Sequence, residues 1–538
     1  MAYQGFNDGT VYPGKRGENY IYEGLILRFM KSDWRYQDAT NVVGYYGQSV
    51  ADAPVLPDEL AAFDPGFFSG HKIVVDPAMA LHLLRTTSDV RKTLWVFRYY
   101  DLDDRDFPAY GAALVRLIDF IRALAAQQGT GGQDVGEPGV GEPGVGAQIK
   151  VNILAHSMGG LLVREAIQRT YPAQQRRAAE YVNKVVTLGT PHQGISFQLL
   201  KDWIGIPAEQ ELEHFNPGFQ ADPARPAAYV NFARHFPPDR LLTVVGTNYR
   251  TYGAGPSLAN RLFAVAGEFG PNYNRSDGLV KQAYAQIPGA PRTFVHKCHG
   301  GPDSLVTARE SFEIATRFFT GDTRARLRLV RARVTRGMDW FGRSELFLGV
   351  SIKPRNVDFE LFHQSAEAEN CYGPFRSLTF DDDDVAFPWG EGRLLWEGWL
   401  DTSRVLAGSR DRADRSDLVF RLDCYVGERD LLGVGFSDNV VFRKQYYLLC
   451  TLDPAEDDGG DEADTEAPAN MTPPRPLSGH LRVRLFLHAD ERFAAPGFRP
   501  GPDDECRPVG GGWEFDVAGT GFTATFKIEV DAIPEVGP

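Results

Sequence analysis

The stretch Val151-Asn-Ile-Leu-Ala-His-Ser157-Met-Gly-Gly-Leu-Leu-Val-Arg-Glu-Ala sets an apolar run before a serine and a helix-forming run after it. Small residues, Ala155 and Gly159, stand two before and two after Ser157. A nucleophile on a strained strand-to-helix turn needs such neighbours, because larger ones would clash. The turn lifts the Ser157 hydroxyl to the end of the strand. It also aims the helix N-terminus and the Met158 amide at the oxygen on which negative charge develops. The competing reading is a chance match to a short Ser/Gly pattern. The strand before and the helix after favour chemistry.

A serine hydroxyl is a poor nucleophile unless a base takes its proton. On such a turn the acid and the base come later in the chain. Arg275-Ser-Asp277-Gly-Leu-Val and Cys298-His299-Gly-Gly each follow an apolar run and supply them. His299 is the expected base, with an ordinary pKa near ~6.5 suited to proton transfer. Asp277 is the expected carboxylate that fixes the imidazole tautomer. Asp277 also fits a plain turn, since Ser-Asp-Gly is a common turn sequence. His296 competes with His299 but ends a strand. His156 and His192 read as supporting hydrogen-bonders, and Cys298 as incidental. No Cys/His spacing suits zinc, and the Gly-rich segment lacks the Lys-Ser/Thr of a phosphate loop. The expectation is a site with no metal and no cofactor.

Positioning these groups calls for a mostly parallel sheet. Glu23–Phe29, Thr93–Tyr99, Lys150–Leu154, Lys184–Leu188, Leu241–Val245 and Thr293–His296 read as buried strands. Helical patterns separate them, the clearest at Tyr110–Gln127 and a last one near Asp303–Phe319. Strands alternating with helices give an α/β fold covered on both faces. Residues 129–147 are Gly-rich and repeat Gly-Glu-Pro-Gly-Val, as a surface excursion would. After about residue 322 the texture changes to alternating runs such as Ser344–Ile352, Asp417–Val426 and Phe522–Val530, which predict an all-β sandwich. The expected division is 1–322 for the catalytic domain and 323–538 for an accessory domain. A disordered acidic loop is expected near 453–475, where eight acidic residues precede a Pro-rich piece.

The chain has 538 residues, 43% hydrophobic and 24% charged, enough for two or three soluble domains. A net charge of −14 argues against nucleic acid as a partner. Five scattered cysteines do not form a disulfide framework, although one bridge among the late cysteines stays open. The opening Met-Ala-Tyr-Gln-Gly-Phe-Asn-Asp has neither a basic start nor an apolar stretch. The expectation is therefore a cytoplasmic protein, or one exported without a recognisable signal peptide.

Three pieces together resemble lipases of the α/β-hydrolase superfamily, particularly triacylglycerol lipases and GPI-inositol-deacylase-like enzymes. They are Ala-His-Ser157-Met-Gly-Gly, Leu-Gly-Thr-Pro-His192-Gln-Gly, and Ser-Asp277-Gly-Leu-Val with His299 following 22 residues after Asp277. The resemblance covers about 20–320. It implies hydrolysis of carboxylic esters, often lipids, by Ser157, Asp277 and His299 without an organic cofactor. Two departures stand out. Ala155 replaces the first glycine of the turn, and the usual His-Gly after the early strand is missing. The equivalent place, Leu27-Arg-Phe-Met-Lys-Ser-Asp-Trp34, would offer the Phe29 or Met30 amide as second oxyanion donor. A lid is expected near 195–240. There Phe197, Leu200 and Trp203 would line an acyl pocket or simply pack as a cap. The second half faintly resembles C-two-type lipid-binding sandwiches, which implies contact with a membrane or lipid surface. Asp381–Asp384 could ligate calcium, but a solvated acidic loop is favoured.

The leading expectation is an esterase or lipase acting on acyl or lipid esters. An amidase, peptidase or polyester hydrolase would use the same fold and residues. A non-catalytic scaffold of hydrolase shape is the third reading, and the complete Ser, Asp and His set argues against it.

Overall fold

The parallel strands that carry the site are short and mostly apolar, as suits a sheet covered on both faces. The structure is a computed structural model. It describes residues 21–31, 36–46, 54–70, 73–87, 89–99, 106–130, 149–194, 214–215, 229–248, 276–334, 345–354, 372–375, 394–401, 418–429, 439–452, 481–486 and 505–533. The chain forms two compact units. The first holds 1–292 and 297–312 with the last two residues, and the second holds 293–296 and 313–536.

In the first unit the elements run α1 (Glu23–Lys31), β1 (Gln37–Asp38), β2 (Val43–Tyr46), β3 (Ile73–Val75), α2 (Pro77–Thr86), β4 (Thr93–Leu94) and α3 (Phe107–Thr130). Then come β5 (Val151–His156), α4 (Met158–Glu165), α5 (Tyr171–Ala173), β6 (Val182–Leu188) and β7 (Leu241–Gly246). Strands β5, β6 and β7 are parallel, with Ala155 opposite Thr187 and Leu188 opposite Val244. Every residue of β7 is buried, as are Val185–Leu188 of β6. Helix α3 packs Tyr110, Leu117, Phe120 and Leu124 into the core beside Leu161 and Leu162 of α4. Its start is fixed by Asp106, whose carboxylate accepts the Ala109 amide at 2.6 Å.

The run Glu23–Phe29, expected as a strand, is the helix α1. Its buried residues, Leu25, Ile26 and Phe29, lie one and three positions apart, which is a helix face and not an alternating strand face. Leu25 and Phe29 pack with Val306 and Phe312, and Phe29 meets Phe312 edge to face at 4.9 Å. Glu23 in the first turn and Arg28 and Lys31 in the last suit the helix dipole. The run Thr93–Tyr99 is a strand only at Thr93–Leu94.

Strand β8 (Arg292–Val295) and helix α6 (Arg309–Thr320) are the elements at which the two units divide. The helix begins six residues later than the sequence suggested, because turns occupy Asp303–Ala308.

The second unit is all-β. One antiparallel sheet has the order β11-β10-β13-β14-β15 and the other β12-β9-β18-β17-β16. The first comprises β10 (Glu345–Pro354), β11 (Tyr372–Phe375), β13 (Leu418–Arg429), β14 (Asn439–Leu452) and β15 (Leu481–Phe486). The second comprises β9 (Thr323–Val334), β12 (Leu394–Leu400), β16 (Arg507–Val509), β17 (Gly512–Gly519) and β18 (Phe522–Ala532). Phe442 on β14 meets Phe522 on β18 at 4.8 Å, and Trp396 on β12 meets Phe420 on β13 at 6.3 Å, so inner faces join as in a sandwich. Along β9, Ala325, Leu327 and Leu329 are buried while Arg324, Arg326 and Arg328 alternate with them. These arginines pair with Glu397, Glu529 and Asp531. Among the described residues no helix is long and apolar enough to cross a membrane.

The expected lid residues Phe197, Leu200 and Trp203 lie outside the described residues, as do Asp381–Asp384, residues 131–148 and the acidic segment 453–475. Cys298, Cys424, Cys450 and Cys506 are free thiols.

Candidate active site

Ser157 sits between β5 and α4 with φ 53° and ψ −128°. A side chain rarely adopts that conformation, and here two neighbours hold it. The Ser157 amide bonds the Leu188 carbonyl at 2.9 Å, extending the β5–β6 ladder by one residue. The Ser157 carbonyl accepts the Gly160 amide at 3.1 Å and starts α4. Met158 is the first residue of α4, so its N–H has no carbonyl one turn back within the helix.

The tightest packing is one residue past the motif's glycine. A Cβ on Gly159 would meet Ala155 at an ordinary 3.8 Å, whereas one on Gly160 would lie 2.2 Å from Thr190 Oγ1. The turn therefore presses on the loop that leaves β6.

The structure brings Ser157, His299 and Asp277 into one hydrogen-bonded line. His299 Nε2 lies 2.9 Å from Ser157 Oγ, and His299 Nδ1 lies 2.9 Å from Asp277 Oδ2. Asp277 and His299 are almost wholly buried, at 1% and 3% exposure. A carboxylate can only accept, so the proton between Asp277 and His299 belongs to Nδ1. Nε2 then carries a lone pair facing the serine hydroxyl.

Asp277 makes contacts of both the kinds that the sequence suggested. Its Oδ1 closes a turn, accepting the amides of Leu279 at 3.0 Å and Val280 at 2.8 Å. Its Oδ2 is left for the imidazole. The main chain adds a further tie, the His299 amide donating to the Asp277 carbonyl at 2.9 Å. The loop around His299 is shaped by Cys298, whose thiol approaches the carbonyls of Gly300 at 3.2 Å and Asp303 at 3.0 Å. His296, the competing base, is exposed at the end of β8.

His156, half-buried, and His192, buried, both sit in hydrogen-bonded positions behind the site. His156 lies between the Tyr22 hydroxyl at 2.8 Å and the His299 carbonyl at 3.0 Å. Burial, and the neighbouring His299, push its pKa down to about 3. His192 Nε2 lies 3.0 Å from Thr187 Oγ1, and burial together with Arg164 holds its pKa well below the usual value. Arg164 of α4 donates to the carbonyls of His192 at 2.6 Å and Tyr229 at 2.7 Å.

Phe29 and Met30 do not take the expected oxyanion role. Both lie near the end of α1, where an amide is spent on the carbonyl four residues earlier. Sequence reasoning missed Tyr22 and Gly189. Nothing in the sequence links Tyr22 to His156, 134 residues away. Gly189, directly after β6, was legible as a small residue at a strand end beside the site. Among the described residues, no cluster of three or more His, Cys, Asp or Glu is arranged to hold a metal ion.

Residues 139–207, which include Ser157 and His192, match the family described as "Putative serine esterase (DUF676)". Among solved structures, the lipase BlEst2 of Bacillus licheniformis in mature form matches at 18% identity. That match covers 44% of this chain and 85% of the lipase, with a TM-score of 0.28. None of the curated proteins matches this chain. Over the segment that carries Ser157 the chain is similar to the putative serine esterase family, and its fold is a parallel sheet with helices followed by an all-β region.

Proposed function

We propose that the protein is a serine ester hydrolase working through an acyl-enzyme on Ser157. The observation that carries this reading is the continuous line from Ser157 Oγ through His299 to Asp277, with both bonds at 2.9 Å. His299 Nε2 takes the hydroxyl proton as Ser157 Oγ attacks the ester carbonyl. The buried Asp277 carboxylate stabilises the imidazolium that forms. The Met158 amide and the N-terminus of α4 face the developing oxyanion. His299 then gives its proton to the departing alkoxide, leaving an acyl group on Ser157. Water enters and loses a proton to His299 as it attacks the acyl carbon; His299 then returns that proton to Ser157 Oγ as the acyl–oxygen bond breaks and the acid leaves. No step in this scheme calls on a metal or an organic cofactor.

The substrate class in this reading is an acyl ester, including lipid esters such as phospholipids, with Phe197, Leu200 and Trp203 offered as acyl contacts. Residues 1–322 carry the chemistry, and 323–538 bring the enzyme to a membrane or lipid surface. Enrichment at a surface raises rate without altering the site. A panel of p-nitrophenyl esters of increasing chain length, phospholipid vesicles and a peptide substrate tests this. Ester turnover that depends on Ser157, and exceeds peptide turnover, supports it. Preferential peptide or amide cleavage overturns the substrate class and leaves the nucleophile standing.

A further inference from the structure

We propose that His156 and Tyr22 form a positioning relay that holds the base His299 in register with its own nucleophile. The inference rests on the serine-hydrolase reading above and goes beyond it. His156 is the chain neighbour of Ser157, and its ring reaches the main chain of His299.

The direction of each bond follows from donor and acceptor rules. A carbonyl can only accept, so His156 Nε2 carries a proton and donates it to the His299 carbonyl at 3.0 Å. A neutral ring then has its lone pair on Nδ1. The Tyr22 hydroxyl, 2.8 Å away, donates to it. Burial keeps the ring neutral, with its pKa near 3. Neutrality matters because the rings of His156 and His299 are 4.9 Å apart. A charged His156 would oppose the imidazolium that His299 must become.

The relay completes a frame. The His299 N–H is fixed by the Asp277 carbonyl at 2.9 Å, and its C=O by His156. Its ring is fixed by Asp277 and Ser157. Gly300 and Gly301 follow directly, and Gly301 has φ 91°, so the chain turns away immediately past His299. Without the His156 bond, the His299 carbonyl loses this anchor and Nε2 is expected to shift relative to the Ser157 hydroxyl. A displacement near ~1 Å in such geometry costs on the order of a hundredfold in rate.

The test compares wild type with His156→Phe, His156→Gln and Tyr22→Phe in the full chain, using a short soluble p-nitrophenyl ester. His156→Phe removes both bonds and is expected to lower kcat by ~10–100-fold with KM within about twofold. His156→Gln keeps a donor toward the His299 carbonyl and is expected to recover most of that loss. Tyr22→Phe is expected to lower kcat by several-fold. The downfield proton of the His299–Asp277 bond, read by NMR, should broaden in His156→Phe and return in His156→Gln. Should His156→Phe not fold, Tyr22→Phe and His156→Gln carry the comparison. Wild-type kcat and an unchanged downfield proton in folded His156→Phe, or in folded Tyr22→Phe, would overturn the relay. A wild-type enzyme that turns over no ester, and a Ser157 that no fluorophosphonate labels, would instead overturn the underlying hydrolase reading.

Discussion

A Cβ placed on Gly189 would lie 2.8 Å from Asp277 Oδ2 and 3.1 Å from His299 Nδ1, the two atoms that share the buried proton. Gly189 has φ 54°, a left-handed conformation that costs an ordinary residue about 1–2 kcal/mol. Gly189→Ala is therefore expected to damage the site twice, through backbone strain and by wedging Asp277 from His299. Kinetics on a soluble ester should show kcat down by a hundredfold or so, against a lowered thermal midpoint by circular dichroism. Normal turnover in the folded variant would contradict the packing described here.

Asp277→Asn should separate the two duties of this side chain. An amide oxygen can still close the turn onto Leu279 and Val280, so folding should be mildly affected. The amide nitrogen would face His299 Nδ1 and force the proton to Nε2, where it blocks acceptance from Ser157. A loss on the order of 10⁴ in kcat with little change in KM is expected. A loss under about tenfold would mean that Asp277 does not set the tautomer.

Acid should destabilise the fold through its neutral histidines. His156 is held near pKa 3 and His192 well below the usual 6.5. As pH falls from 6.5 toward about 3, the unfolded chain binds a proton at His156 that the folded chain refuses. Stability at these rings is complete above the unfolded value and lost as pH falls through that window. The His156 ring adds a slope of about 1.4 kcal/mol per pH unit there. Urea unfolding of wild type and His156→Gln at ~pH 7 and ~pH 5 isolates one ring. The gap between the two proteins should narrow in acid, and a gap independent of pH would count against a neutral His156.

The second unit is expected to matter for surfaces and not for chemistry. A chain ending at Asp322 should hydrolyse a short soluble ester but lose activity on vesicles. Phe318 packs edge-on against Trp399 at 4.8 Å, so this shortened chain needs Phe318→Gln to keep the uncovered face soluble. Equal loss on both substrates, in a protein verified as folded, would contradict recruitment by 323–538.

The Ser157 turn and the residues that meet there, Asp277 and His299, could be read from the sequence because strand, turn and helix signals agree locally around them. Parallel strands β5, β6 and β7 were legible for the same reason, as short, mostly apolar runs. The early segment failed because periodicity in a short run is ambiguous. Leu25, Ile26, Leu27, Phe29 and Met30 fit a buried strand or one face of a helix, and α1 takes the second course. That error carried the expected Phe29 and Met30 donors with it. The Tyr22–His156–His299 links and the close approach of Gly189 to Asp277 join residues far apart in the chain. Only tertiary packing creates them, so no local pattern announces them.

The most direct test of the central claim is intact-protein mass spectrometry after exposure to a fluorophosphonate. The account expects one adduct, mapped to Ser157 by peptide sequencing, with ester hydrolysis lost in step. It expects no adduct in folded Ser157→Ala, and much slower labelling in His299→Ala, which lacks the base. Equal labelling and turnover in folded Ser157→Ala would contradict it.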